Sequence, residues 1–114
     1  WDCNGFLPLG SDFPVESIRP VLQFYAAIAR KTTDGKPQGG FQMNEALTRQ
    51  QALLGLTRFA AYSMQMDDQM GSIEKGKWAH FTVFDQDIMS ISVEKIPNVS
   101  TKYTIIRGNI AYSK

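Results

Sequence analysis

Asp12 is the residue of this 114-residue chain best placed to do chemistry. It follows Phe6-Leu7-Pro8-Leu9, a short apolar run with turn-forming residues on both sides, which reads as a buried strand despite Pro8. The carboxylate therefore stands just past the C-terminal end of that strand, the edge at which parallel α/β architectures gather their reacting groups. A competing reading makes Gly10-Ser11-Asp12 an ordinary turn whose carboxylate caps the backbone N–H groups that follow. Ser11 either orients Asp12 or serves the turn, and Glu16 either faces the same space or solvates the loop.

The remaining reactive types are few. Cys3 is the single cysteine, so no internal disulfide can form, and no histidine or motif near it prepares a nucleophile. His80 is the single histidine and lies in Trp78-Ala79-His80-Phe81-Thr82-Val83-Phe84, a stretch that reads as a strand. One imidazole cannot build a site that needs several, and His80 is expected to be a structural or surface group. Arg30 closes a helix, where a cation suits the C-terminus and can pair with nearby carbonyls. Met64, Met66 and Met70 cluster near the end of a second helix and are expected to fill a packing gap.

The elements that must position these residues follow from the hydrophobic period. Val21, Phe24, Tyr25 and Ile28 recur at helical spacing after Pro20, which predicts a helix over 20–30 with proline at its first turn. Residues 31–40 are polar and hold three glycines and a proline, an exposed loop. Thr48-Arg49-Gln50-Gln51 matches a capping box, so a second helix starts there and carries Ala52, Leu56, Phe59, Ala60 and Ser63 on one face. Gly55 inside it costs about 1 kcal/mol relative to alanine and marks close packing. From Gly71 the pattern turns to β: Gly71-Ser72-Ile73, a Glu74-Lys75-Gly76-Lys77 turn, and the aromatic stretch from Trp78 to Phe84. Tyr103 to Ile106 and Ile110 to Tyr112 flank Arg107-Gly108-Asn109, a tight hairpin.

Size and charge bound what the chain can be. A mass of 12.8 kDa corresponds to roughly 6,300 Å² of folded surface against roughly 18,500 Å² extended, enough for one modest core. With 43 % hydrophobic and 20 % charged residues the composition is that of a globular domain. Twelve Lys and Arg against eleven Asp and Glu give a net charge of +1 and no basic footprint for nucleic acid. No run approaches the ~18 apolar residues of a membrane-spanning helix, and no signal peptide is visible after Trp1. A single strand–helix unit needs neighbours to complete a parallel sheet, so the first half reads as the end of a larger layered domain.

A resemblance runs through these segments in order. Gly10-Ser11-Asp12-Phe13-Pro14-Val15-Glu16-Ser17-Ile18, then Pro20, Ala26-Ala27 and Arg30, resembles the last barrel strand and following helix of the metal-dependent amidohydrolase superfamily. More narrowly, it is similar to the large amidohydrolases of the N-substituted formamide deformylase-like branch. Leu47-Thr48, Ala52-Leu53, Thr57, Ala60-Ala61-Tyr62, Gly71-Ser72-Ile73 and Gly76-Lys77 resemble that family's closing helix and return to a small β-sandwich, and the hairpin around Gly108 its final strands. The resemblance implies an α/β fold in two parts: residues 1–70 as the end of a (β/α)8 barrel, and 71–114 as the C-terminal part of a composite β-sandwich. The family usually has Ala-Asp where this chain has Ala79-His80, a departure in the sandwich, away from the metals.

What the resemblance implies about function is specific. The chain would be the C-terminal part of a hydrolase of non-peptide amide C–N bonds, using a water activated by a divalent metal, zinc foremost. Asp12 matches the aspartate after the eighth strand, which takes a proton from that water and passes it to the leaving nitrogen, and which is also a candidate metal ligand beside histidines outside this chain. A metal lowers the pKa of bound water to about 7, within reach of such a carboxylate. No metal is expected to be held by this segment alone. The expected partners are a small-molecule amide and the remainder of the barrel or a second chain, with no nucleic acid and no membrane. The alternatives are a non-catalytic partner-binding domain, whose apolar surface would drive homo-oligomerisation, and one half of a split hydrolase. Location is left open, with the cytoplasm favoured.

Overall fold

In the computed structural model, which describes residues 5–114, helices precede a small sheet: α1 (Pro20–Ala29), α2 (Arg49–Leu56), α3 (Arg58–Ser63), β1 (Phe81–Phe84), β2 (Thr101–Ile106) and β3 (Asn109–Ser113). Short 3-10 turns occupy Met43–Glu45 and Val93–Asn98. Cys3 lies outside the described residues.

Helix α1 begins at Pro20, whose missing N–H costs nothing in the first turn, and buries Val21, Phe24, Tyr25 and Ile28 as their spacing requires. It ends one residue earlier than expected. Arg30 takes the left-handed conformation and donates its N–H to the Ala26 carbonyl at 3.0 Å. Its side chain then closes the polar loop after the helix: Arg30 Nε donates to the Phe41 carbonyl, and the Phe41 N–H returns to the Arg30 carbonyl, both at 2.9 Å. The guanidinium also lies over the Phe41 ring.

The capping box opens α2 as expected. Thr48 Oγ1 accepts the Gln51 N–H at 3.2 Å, and Gln51 Oε1 accepts the Thr48 N–H at 2.8 Å. The continuous second helix predicted from the apolar spacing is instead broken at Thr57, whose φ and ψ are −121° and −85°. The Thr57 hydroxyl donates to the Leu53 carbonyl at 2.7 Å, taking the acceptor that its own N–H would use in an unbroken helix. That N–H turns to the Leu54 carbonyl at 3.3 Å, and α3 restarts at Arg58.

Phe6 to Leu9 forms no strand. Pro8 has no N–H to give, and the Leu9 N–H goes to the Gly55 carbonyl of α2 at 3.0 Å rather than to a parallel neighbour. The segment is held by packing: the Phe6 ring lies 5.0 Å from Phe59 and 5.1 Å from Tyr62, centre to centre. Gly55 lets it approach the helix, because a Cβ there would stand 2.8 Å from the Leu7 carbonyl oxygen and 2.8 Å from Leu9 Cγ. Gly55→Ala should therefore destabilise by about 1–3 kcal/mol, the overpacking outweighing the helix-propensity gain of about 1 kcal/mol. A denaturant titration that found the variant more stable would remove the close approach as the reason for this glycine.

The core joins the first half of the chain to residues 88–99. Phe24 and Ala52 are fully buried, and Ile96 and Val99 pack with them from the 3-10 segment and its end, with Ile88 alongside. Two arginines fasten the same stretch by its backbone. Arg19 Nη2 donates to the carbonyls of Pro97 (2.8 Å) and Val99 (3.1 Å), and the Arg49 guanidinium donates to those of Ile88 and Ile91. A guanidinium presents several donors in a fixed fork, which suits two carbonyls at once.

The sheet is an antiparallel meander in the order β1-β2-β3, with Phe81 opposite Ile105 and Tyr103 opposite Ser113. Arg107 and Gly108 form its two-residue turn with φ of 50° and 81°, the paired positive values that a tight hairpin demands. Gly71-Ser72-Ile73 forms no strand; Lys77 Nζ holds this stretch through the Ser72 hydroxyl at 2.7 Å. β3 is exposed along its whole length, and Ile110 and Ile73 show 64 % and 85 % of their surface. The chain exposes 7,917 Å², about 1,600 Å² more than the roughly 6,300 Å² of a self-contained domain of its mass. No described helix is long and apolar enough to cross a membrane.

Candidate functional site

Asp12 sits on an arch, residues 10–18, that is fastened at both ends. On the near side the Leu9 N–H is bound to α2 through Gly55. On the far side Gln23 Nε2 donates to the Ser17 carbonyl at 3.1 Å, the Ser17 hydroxyl accepts the Arg19 N–H at 3.3 Å, and Arg19 reaches across to residues 97 and 99. Between these anchors the backbone makes a turn, closed by the Val15 N–H on the Asp12 carbonyl at 2.9 Å.

The turn expected at Gly10-Ser11-Asp12 lies further on, over Asp12 to Val15, and its capping carboxylate is not found. The Asp12 side chain is exposed and makes no hydrogen bond or ion pair with a described residue. Asp12 has φ of 49°, a left-handed conformation that aspartate and asparagine tolerate better than most residues. Ser11 is half-buried beside it, and Glu16 is exposed further along the arch.

The other candidates fall elsewhere. His80 belongs to the hairpin: its Nδ1 accepts the Arg107 N–H at 3.3 Å, its ring meets Trp78 edge-on at 5.5 Å, and the Arg107 guanidinium lies 4.4 Å from the centre of the Trp78 ring. Arg30 pairs with a carbonyl, as the sequence suggested. Met66 and Met70 are half-buried, whereas Met64 is 55 % exposed and fills no gap. Among the described residues no three His, Cys, Asp or Glu side chains converge as a metal would need. The donor set present does not fit a divalent metal on its own.

Arg19 and Arg49 are the positioning residues that spacing did not expose, because their partners are backbone carbonyls, which carry no sequence signature. Asp87 has a comparable local task. The Met89 N–H, and after it the Ser90 hydroxyl, hold its carboxyl below the usual range. Its folded pKa lies below its unfolded value of about 3.9, so its contribution is present above that value and fades as pH falls through the folded pKa. Asp87→Asn should flatten the acid limb of the stability curve below about pH 4, measured by thermal unfolding from pH 2 to 7; an unchanged limb would exclude that linkage.

Two of the clefts among the described residues lie on the sheet side of the chain. One, about 450 Å³, lies between Arg19, Pro97, Tyr112 and Lys114, and the other, about 610 Å³, runs along β1 beside Ile73, Phe81, Val83 and Phe84. Asp12 lines neither of them.

Comparison with known proteins gives the arrangement a context. Residues 4–112 match the model of the Amidohydrolase family. The chain is 30 % identical over 105 residues to YtcJ of Bacillus subtilis (strain 168), a protein named provisionally as an amidohydrolase, covering 92 % of this chain and 20 % of that protein. It is 29 % identical over 113 residues to the N-substituted formamide deformylase of Arthrobacter pascens, covering 99 % and 20 %. It is also 32 % identical over 80 residues to the Arabidopsis thaliana protein LONG AFTER FAR-RED 3, covering 70 % and 13 %. The chain spans about one fifth of the length of the first two of these curated relatives. No solved structure matches it significantly.

Proposed function

This chain belongs to the amidohydrolase family, and from that premise we propose that it is the C-terminal part of a hydrolase of non-peptide amide C–N bonds in which Asp12 is the reacting carboxylate. The observation that carries the reading is the state of Asp12: an exposed carboxylate with no partner among the described residues, on an arch fastened at both ends. A group so held is free to accept a proton from an attacking water and return it to the leaving nitrogen. Its names support the substrate class, since one relative is a deformylase of N-substituted formamides.

The family is generally metal-dependent. A divalent metal, zinc foremost, would be held by histidines outside this chain, and the chain's own part is the carboxylate and the scaffold behind it. In this reading residues 1–70 close a (β/α)8 barrel and residues 71–114 complete a small sandwich. The remainder of the barrel, or a second chain, then covers the surface that this chain leaves bare, about 1,600 Å² beyond a self-contained domain.

The test is Asp12→Asn in the full-length protein, read as turnover of simple amides against a retained fold. Unchanged turnover by a folded variant would overturn the assignment of Asp12.

A further inference from the structure

Three parts of the chain meet at Arg19. Its N–H donates to the Ser17 hydroxyl at 3.3 Å, at the far end of the arch, and its carbonyl accepts the Leu22 N–H at 3.1 Å, in the first turn of α1. Its Nη2 donates to the carbonyls of Pro97 and Val99 at 2.8 and 3.1 Å, which lie 78 and 80 residues further along the chain. Arg19 stands at the N-cap of α1 in extended backbone and makes no side-chain cap, so its guanidinium is left for the distant segment. That segment is a firm mooring, because Ile96 and Val99 are buried in the core with Phe24.

The placement of Asp12 depends on such ties. Reacting groups are commonly held by hydrogen bonds to their own polar atoms. The Asp12 side chain has none from a described residue, so within this chain the backbone alone sets where the carboxylate stands. The turn bond from the Val15 N–H to the Asp12 carbonyl, 2.9 Å, joins it to the middle of the arch. Ser17, bound at its hydroxyl by the Arg19 N–H and at its carbonyl by Gln23, joins the arch to α1. A displacement of about 1 Å at a reacting group costs on the order of 100-fold in rate even when the altered residue is remote.

We propose that Arg19 is a positioning residue for the hydrolysis: through the two carbonyls it holds, it sets the place of the arch and hence of the Asp12 carboxylate, so that residues 97–99 bear on turnover without touching substrate. This rests on the reading of Asp12 above. One nitrogen serves both acceptors, so an ammonium can stand in for it. Lysine should therefore do much of what arginine does here, and a side chain of similar length without a donor should not.

The test compares Arg19→Met and Arg19→Lys in the full-length protein on N-butylformamide and N-butylacetamide, with rates taken per folded molecule. Arg19→Met is expected to lower kcat by about 10- to 100-fold with little change in KM, and Arg19→Lys to restore most of the loss. Arg30→Met is the control, since it loses a guanidinium–carbonyl bond at the opposite end of α1 and should keep the kcat of the parent. Amide hydrogen exchange reads the arch without substrate: exchange over residues 15–17 should quicken in Arg19→Met and return towards the parent in Arg19→Lys. Should Arg19→Met not fold, Arg19→Gln, which keeps only a shorter donor, reads the same loss. Parental kcat or unchanged exchange in Arg19→Met, an equal fall in Arg30→Met, or a fall confined to KM overturns the proposal.

Asp12→Asn separates this inference from the reading it rests on. If both hold, Arg19→Met adds little to the loss that Asp12→Asn already causes, because the two act through one group. A full further loss in the double variant overturns the positioning role alone. Parental turnover by Asp12→Asn overturns the reading of Asp12, and a parent that hydrolyses neither probe overturns the amide-hydrolase reading, whereas the exchange result still decides whether Arg19 fixes the arch.

Discussion

In the full-length protein, Asp12→Asn should lower kcat for amide hydrolysis by about 10²- to 10⁴-fold, the usual worth of a positioned proton-transfer group. Stability should move by no more than about 0.5 kcal/mol, because the side chain is exposed and contacts no described partner. Asparagine is the right replacement. It keeps the shape of the side chain and tolerates the φ of 49° that the turn imposes, whereas alanine at that φ adds a strain of about 1–2 kcal/mol that would blur the reading. If proton transfer is what is lost, KM should change far less than kcat. A large rise in KM with an unaltered kcat would give the residue a binding task instead.

The second large effect concerns the core. Phe24→Ala should destabilise the fold by about 3–5 kcal/mol, the range for emptying a buried aromatic site. Phe24 is wholly inaccessible to solvent and packs in the same cluster as Ile96 and Val99, more than seventy residues away in sequence. A domain of this size is stable by about 5–15 kcal/mol in all, so the variant should be partly unfolded at ambient temperature or melt far below its parent. Phe24→Leu, which refills most of the volume, should recover a good part of the loss. A cost below about 1 kcal/mol for the alanine variant would mean that α1 does not pack on residues 88–99 as described.

Local chemistry was legible wherever it is written in neighbouring residues. The Thr48–Gln51 capping box, the proline start of α1 and the Arg107-Gly108 hairpin all depend on residues within a few positions of one another, and each is found; the glycine inside α2 marked close packing, though its neighbours there, Leu7 and Leu9, are distant in sequence. The misses have a common cause in competition for hydrogen bonds. Phe6 to Leu9 has the composition of a strand, but a strand is a relation between segments, and here the available partner for Leu9 is a helix carbonyl. The apolar spacing from Ala52 to Ser63 is helical throughout, yet the Thr57 hydroxyl outbids its own N–H for Leu53 and the helix breaks there. Residues 85–100 gave no periodic signal because their order comes from Ile96 and Val99 entering a core built by distant helices. At the site, the sequence set Asp12 past a strand that does not form, and nothing in it showed that the carboxylate has no partner among the described residues.

The two guanidinium clamps on residues 88–99 have an evolutionary corollary. A carbonyl oxygen is offered by every amino acid, so the stretch between Ile88 and Val99 can drift at its outward positions, among them Glu94, Lys95 and Asn98, without forfeiting its moorings. The burden of keeping that stretch in place is shifted onto Arg19 and Arg49, and at Arg49, whose two terminal nitrogens each reach a different carbonyl, a single ammonium on a flexible stem would not reproduce the fork. Permissiveness in one segment is thereby coupled to intolerance at two positions far from it along the chain.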